Sequence, residues 1–149
     1  IDLPLPPGPA WALAQMADYV RTMHETSGLL AELDQGITLA EAEARVPAFI
    51  REHCPDGSRP PLAGNTVATD RSFLARDMPT LEAFLHYRIV DVSSIKELSR
   101  RWYPKAWFQA PTKQGNHRAL ADIQESIEEL RYYRRTFLRA EPVVSDTAV

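Results

Sequence analysis

A chain of 149 residues with 44% hydrophobic and 25% charged residues has the size and composition of one globular domain. Its net charge of −3 argues against a protein that coats long nucleic acid, because such proteins usually present a strongly basic face. No apolar run reaches membrane-spanning length, so no membrane partner is expected. The single cysteine, Cys54, excludes an internal disulfide and indicates a reducing cytoplasm.

The charge is unevenly distributed along the chain. Residues 1–60 carry 4 basic and 9 acidic side chains, whereas residues 61–149 carry 13 basic and 11 acidic ones. We therefore expect any small anionic ligand to bind the second part of the chain.

The first third of the chain is predicted to be mainly helical. Residues 1–9 resemble the end of a strand followed by a proline-rich loop, and apolar spacing then predicts a helix from Ala10 to His24 that stops at Gly28. His24 falls at the end of that helix, and a solvated terminal histidine is the preferred interpretation from the residues alone. The capping box that begins at Thr38 predicts a second helix toward His53, which Pro47 should kink or split.

The middle of the chain alternates between strands and helices, which is an α/β pattern with few strands. The predicted elements are a loop at 54–61, a strand at 62–65, a helix at 66–77, a short helix at 81–87, a strand at 88–92, a helix at 94–102 and an aperiodic loop at 104–116. A domain of residues 1–139 followed by a flexible tail at 140–149 is the predicted organisation.

A last helix is predicted to run from about residue 116 to Phe137. Asn116 is the candidate N-cap, and the stripe expected to face the core comprises Ile123, Ile127, Leu130 and Phe137.

Two side chains at the start of this last helix could perform chemistry. His117 and Asp122 can lean toward one point, where a neutral imidazole would act as a general base and a carboxylate as a metal ligand. Asp70, at the start of an earlier helix, is a second carboxylate of the kind that suits Mg²⁺ or Mn²⁺. The alternative interpretation is a capping histidine and solvated aspartates, and Asp77 and Asp91 have no spacing that favours a metal role.

A second polar cluster flanks the strand at 88–92. Tyr87, Arg88 and Ser93 combine a guanidinium with hydroxyl groups, which suits a phosphate. A salt bridge for Arg88 and an N-cap role for Ser93 are the alternatives. Trp102 could stack on a base, but a position in the core is the preferred interpretation.

Four segments of the sequence resemble oligoribonucleases, which are 3′-to-5′ exonucleases of the DEDDh group. These segments are residues 61–70 (PLAGNTVATD), 86–98 (HYRIVDVSSIKEL), 101–104 (RWYP) and 117–123 (HRALADI). The resemblance covers about residues 10–138, and it implies an α/β, RNase H-like fold with a mixed sheet flanked by helices.

The resemblance also implies a mechanism and a set of site residues. Family members are homodimers that cleave very short RNA, down to dinucleotides. They use two Mg²⁺ or Mn²⁺ ions and release 5′-mononucleotides. By motif, Asp70 and Asp122 correspond to metal ligands and His117 to the general base. The substrate-binding residues implied are His24 near the base at the scissile end, Thr66, Arg88 and Ser93 around the 5′ phosphate, Lys96 as a weaker phosphate candidate, and Tyr87, which with Arg88 reaches into the partner's site.

One part of the family pattern has no counterpart in the sequence. The first motif, an Asp-x-Glu on an opening strand, is missing together with its two metal carboxylates. We therefore expect the parent protein to have roughly 40 further N-terminal residues, and the given chain alone to be inactive. The alternatives are a non-catalytic RNase H-like remnant that binds nucleotides or dimerises, and a DEDDh exonuclease that acts on DNA.

Overall fold

The computed structural model describes residues 13–112 and 118–138. Within them the elements are α1 (Asp18–Thr26), α2 (Leu29–Glu32), a 3₁₀ turn (Leu33–Gln35), α3 (Leu39–His53), β1 (Pro61–Gly64), α4 (Val67–Asp77), α5 (Pro79–Phe84), β2 (His86–Asp91), α6 (Val92–Trp102), α7 (Pro104–Phe108) and α8 (Ala119–Thr136). The predicted features at 1–9, at Asn116 and His117, and in the tail at 140–149 lie outside the described residues.

The described strands form a two-stranded parallel sheet. Leu62 is paired with Ile89, Ala63 with Val90 and Gly64 with Asp91, after an irregularity between Pro61 and Leu62. Parallel strands require a crossover, which α4 and α5 supply. Because the strands run in the same direction, their carboxyl ends lie side by side, and each one leads directly into a helix.

The hydrophobic core lies where α3 packs on α5, and Leu74 of α4 packs against it. Its buried members are Ala42, Met78, Leu81 and Leu85, and the half-buried side chains packed against them are Ile37, Val46, Ile50, Leu62, Leu74 and Phe84. This core holds the crossover against β1 and so fixes the direction in which β2 enters the sheet.

The predicted stop and start signals of the first helices are confirmed. Gly28 has φ 76°, a left-handed conformation that glycine adopts without steric cost, and α1 ends at Thr26. The Thr38 hydroxyl accepts the backbone N–H of Glu41 at 3.2 Å, and α3 begins at Leu39. The end of α1 and the start of α3 are therefore set by single residues, the backbone freedom of Gly28 and the hydroxyl of Thr38.

The predicted helix from Ala10 to His24 is interrupted in its described part, although Leu13 and Ala14 are helical. Ala17 is extended, with φ −61° and ψ 144°, so α1 begins only at Asp18. Apolar side chains on the two sides of this break share helical spacing, and the pattern therefore conceals it.

Pro47 does not split α3, one of the two effects predicted for this residue. The helix runs unbroken from Leu39 to His53, and Pro47 is one of its two buried residues. Burial of the ring, together with the packing of Val46 and Ile50 on the core, offsets the one backbone hydrogen bond that proline removes.

The predicted boundaries around β2 need correction. His86 and Tyr87 are strand residues rather than the end of a helix, because His86 pairs with Pro61 of β1. The Arg71 guanidinium also binds their carbonyl oxygens, at 2.7 and 3.1 Å. Val92 already belongs to α6.

The predicted loop at 104–116 also contains a helix, α7, with Pro104 in its first turn. Ala106 in α7 is buried, and its carbonyl oxygen accepts the Tyr132 hydroxyl at 2.7 Å. Trp102 at the end of α6 is 64% exposed and therefore does not belong to the core.

The buried face of α8 differs from the predicted apolar stripe. Ile123 and Ile127 are exposed, whereas Ser126, Glu129 and Tyr133 are buried. Polar partners on other elements select this face, and helical periodicity of apolar residues does not detect it. The helix starts at Ala119 with Arg118 at the N-cap, two residues after the predicted cap Asn116.

Removal of the Thr38 hydroxyl tests the start of α3. We expect Thr38→Ala to lower the free energy of unfolding by about 1 kcal/mol, since the Glu41 N–H loses its acceptor. Thr38→Ser keeps the acceptor and serves as the matched control. Urea denaturation measures both variants, and equal stability of Thr38→Ala and the wild type would contradict this assignment.

Candidate active site

Two hydroxyl groups meet where the strands end. Thr66 is the N-cap of α4, Ser93 lies in the first turn of α6, and their hydroxyl oxygens are 3.1 Å apart. The carboxyl ends of parallel strands are the usual place for ligand sites in α/β proteins, and helix N-termini favour anions. The structure thus brings together two of the residues predicted to bind phosphate.

A carboxylate ties these two turns to each other. Asp91 Oδ1 accepts the backbone N–H of Thr66 at 3.0 Å and that of Ser93 at 2.9 Å. Asp91 is therefore an N-cap, in agreement with the strand-end role considered from the sequence. Because its oxygen occupies both N–H groups, the hydroxyls are what these two residues can offer to a ligand.

Thr66 has an unusual backbone conformation. Its φ of 55° places it in the left-handed region, where it is the only non-glycine among the described residues. Such a conformation costs of the order of 1–3 kcal/mol and persists where the surroundings determine it. Here Asp91 and Ser93 both accept the Thr66 N–H.

Polar side chains of α8 extend this cluster into the protein interior. Asn65 Nδ2 donates to Ser126 Oγ at 2.7 Å and to Glu129 Oε2 at 3.3 Å. Lys96 Nζ lies 3.2 Å from Glu129 Oε1, so this predicted phosphate candidate is an ion-pair partner of a buried carboxylate. A carboxylate that is only 2% exposed needs such partners to offset its desolvation.

Tyr133 completes the surroundings of Glu129. Its hydroxyl donates to Glu129 Oε1 at 3.2 Å, and the residue is fully buried. Burial, reinforced by the nearby Glu129 charge, raises the pKa of the Tyr133 hydroxyl well above its usual range. Tyr133 therefore stays a proton donor to Glu129 at every pH near neutrality.

The two predicted metal ligands lie in the first turns of α4 and α8. Asp70 and Asp122 are exposed, and within the described residues neither carboxylate makes a hydrogen bond or an ion pair. Oxygen donors with unused lone pairs fit a hard divalent cation. No cluster of three or more potential metal ligands occurs in the described ranges.

Asp77, the other aspartate considered, is engaged elsewhere. Its two carboxylate oxygens accept hydrogen bonds from Arg76 at 2.7 and 2.6 Å, and these bonds lower the pKa of the Asp77 carboxyl. A surface ion pair accounts for this residue.

His24 and the start of α8 come together through Arg118. The Arg118 guanidinium lies 2.5 Å from Glu32 Oε2 and 3.5 Å from the Ser27 carbonyl oxygen, immediately after the helix that carries His24. His24 is half-buried, and its Nδ1 has no hydrogen-bond partner among the described residues. His117 itself lies outside the described residues, next in sequence to Arg118.

Tyr87 and Arg88 lie apart from the two hydroxyls. Tyr87 is 72% exposed, its ring stacks on His86 at 4.5 Å, and the Arg88 guanidinium lies 5.4 Å from the Tyr87 ring centre. Within the described part of the chain, no hydrogen bond joins Arg88 to Thr66 or Ser93. The Arg71 guanidinium donates to the carbonyl oxygens of His86 and Tyr87 in this segment, and it is itself paired with Glu82 at 2.6 Å.

Three polar residues of the site were not predicted from the sequence. Asn65, Ser126 and Glu129 make contacts between segments about 60 residues apart, and no local spacing signals such a contact. The one available signal was weak: Ser126, Glu129 and Tyr133 recur at helical spacing, but as polar residues they suggest a solvated face.

Comparison with known proteins finds exonucleases. The exonuclease family model RNase_T matches residues 12–130. The oligoribonuclease of Streptomyces coelicolor is 62% identical over an alignment of 149 positions, which covers 99% of this chain and 74% of that protein. The oligoribonuclease of Cutibacterium acnes is 61% identical over 142 residues, which are 95% of this chain and 70% of that protein.

These matches extend over nearly the whole chain and include the segments that build the site. The match to an exonuclease family explains the RNase H-like arrangement of a small parallel sheet flanked by helices. No helix in the part of the chain that the structure describes is long and apolar enough to cross a membrane. The chain therefore belongs to the oligoribonuclease family of exonucleases and is an exoribonuclease.

Proposed function

We propose that this exoribonuclease degrades very short RNA, down to dinucleotides, from the 3′ end and releases 5′-mononucleotides by two-metal-ion hydrolysis. The observation that carries the proposal is the Thr66–Ser93 hydroxyl pair at the carboxyl ends of the two strands. A pair of hydroxyls at two helix N-termini is suited to a terminal phosphate, and a terminal phosphate is close to the scissile bond only in a short substrate.

Asp70 and Asp122 are the proposed holders of Mg²⁺ or Mn²⁺ in this chain. Support comes from their exposed carboxylates, which have no other described partner, and from their places in the motifs shared with the family. When bound, the ions would supply Lewis-acid stabilisation of the charge that develops on the phosphodiester.

The histidines take two different roles in the proposal. His117 is the general base that takes the proton from the attacking water. His24 packs near the base at the scissile end, and the Arg118 contacts with Glu32 and with the Ser27 carbonyl bring the segment after α1 next to the start of α8.

Thr66, Ser93 and Arg88 are proposed to hold the 5′ phosphate of the substrate. The Thr66 and Ser93 hydroxyls belong to one site, whereas Arg88 has no described hydrogen bond to them and lies on an exposed stretch of β2. An arginine supplied by a second copy of the chain would complete the phosphate site. Lys96 is proposed to act on this site indirectly, through Glu129.

The proposed assembly is a homodimer in the cytoplasm. Tyr87 presents a largely exposed ring beside Ile89 and Val90, which are 37% and 39% exposed. An aromatic residue flanked by apolar side chains and arginine is typical of the centre of a protein interface. In this arrangement the Tyr87–Arg88 segment reaches into the partner's site.

Hydrolysis of a dinucleotide by the full-length protein tests the proposal. We expect release of 5′-mononucleotide from a 5′-phosphorylated diribonucleotide with Mn²⁺, and loss of release when the metal is chelated. His117→Ala should reduce turnover by about two to four powers of ten, because the attacking water loses its general base.

Circular dichroism of His117→Ala provides the control for folding. Turnover of this variant close to that of the wild type would remove His117 from the mechanism. Absence of mononucleotide release by the wild type would overturn the function. A preference for long single-stranded DNA over diribonucleotides would instead identify a DNA exonuclease.

Arg88→Ala tests whether Arg88 contributes to binding of the terminal phosphate. We expect weaker binding of 5′-phosphorylated dinucleotides by about tenfold or more and a much smaller effect on longer RNA, since only the short substrate depends on its terminal phosphate. Fluorescence anisotropy with the two RNAs measures the difference. Arg76→Ala, a surface arginine paired with Asp77, is the matched control. Equal losses for both RNAs would contradict a phosphate role.

A further inference from the structure

A continuous chain of polar contacts joins the protein interior to the proposed phosphate site. It begins at the buried Glu129 carboxylate, passes through the Asn65 amide to the Ser93 hydroxyl and ends at Thr66. The contacts of Asn65 have a defined donor and acceptor, whereas either oxygen could donate in the contact between the Ser93 and Thr66 hydroxyls.

The interior end determines how the Asn65 amide is oriented. Ser126 donates its own hydroxyl proton to the Asp122 carbonyl oxygen at 2.7 Å, so its oxygen can accept from Asn65. An ionised Glu129 carboxylate can only accept. The Asn65 nitrogen must therefore face α8, and its oxygen must face the strand ends.

The oriented amide in turn determines where the Ser93 proton goes. Ser93 Oγ donates to Asn65 Oδ1 at 3.1 Å and accepts the Thr66 N–H at 2.9 Å. A serine hydroxyl has a single proton, which is used inward in this arrangement. The Thr66 hydroxyl must then be the donor in its 3.1 Å contact with Ser93. Because Thr66 is exposed, its hydroxyl can turn this proton to a ligand instead.

We infer that Asn65 is a positioning residue for terminal-phosphate binding, and this inference rests on the proposed function. Held by Glu129 and Ser126, Asn65 draws the Ser93 proton inward and leaves the Thr66 hydroxyl as the donor to the phosphate. Ser93 acts as the acceptor that fixes Thr66 in its left-handed conformation. The direct hydrogen bond to the phosphate is thus assigned to Thr66, and the role proposed for Ser93 narrows to holding Thr66 in place.

The test compares two substrates that differ only in the terminal phosphate. Hydrolysis of a 5′-phosphorylated dinucleotide and of its 5′-hydroxyl counterpart gives a preference ratio in kcat/KM for the full-length protein. We expect Asn65→Ala to lower this ratio about tenfold, through KM of the phosphorylated substrate, and to change kcat/KM of the 5′-hydroxyl substrate little.

Tyr133→Phe is the matched control because it removes a Glu129 contact on the side away from Asn65. We expect this variant to lower stability and to leave the preference ratio unchanged. Equal reductions of the ratio by Asn65→Ala and Tyr133→Phe would show a merely structural effect and overturn the inference, as would an unchanged ratio in Asn65→Ala.

Thr66 variants keep the inference testable if Asn65→Ala fails to fold. Thr66→Val deletes the donor on an exposed residue and should lower the ratio about tenfold, whereas Thr66→Ser should preserve it. A Thr66→Val ratio equal to that of the wild type would overturn the inference. A wild type without any preference for the 5′ phosphate would overturn the phosphate proposal itself, and the inference with it.

Discussion

The parallel pairing of β1 with β2 is the constraint on which the site depends. It ends at Gly64 and Asp91, so the turns that begin α4 and α6 must lie next to each other. Only in this register can Asp91 accept the N–H groups of both Thr66 and Ser93 with a single oxygen. A slip of one residue would turn the Asp91 side chain to the other face of the sheet and separate the two hydroxyls.

The interior of the molecule near this site is polar where a small domain usually places apolar side chains. Glu129 is buried among Asn65, Lys96 and Tyr133, and its desolvation must be offset by their hydrogen bonds and by the charge of Lys96. Such an arrangement contributes little to stability compared with a well-packed apolar one. The contacts of Glu129 do specify a single orientation of the Asn65 amide, whose oxygen faces the strand ends. A fixed amide of this kind can hold the ligand-binding groups of a nuclease in place.

Sequence reasoning succeeded where one short segment contains the whole signal. Thr38 and Gly28 mark helix ends through their own chemistry, and both were predicted. It failed where two distant segments decide the outcome. The face of α8 that is buried and the start of β2 depend on partners such as Asn65 and Arg71, and the hydrogen bond from Asn65 to Ser126 spans 61 positions of the chain.

The sequence by itself determined the family, through motifs around Asp70, Arg88 and Asp122 that need no three-dimensional information to be recognised. It also determined the helix ends at Gly28 and Thr38, because capping and turn formation depend on neighbouring residues. Only the tertiary structure decided that the Thr66 and Ser93 hydroxyls meet and that Glu129 orients Asn65 behind them. The physical reason is that hydrogen-bond direction depends on which groups surround each atom, and strand pairing and helix packing bring those groups together from separate parts of the chain.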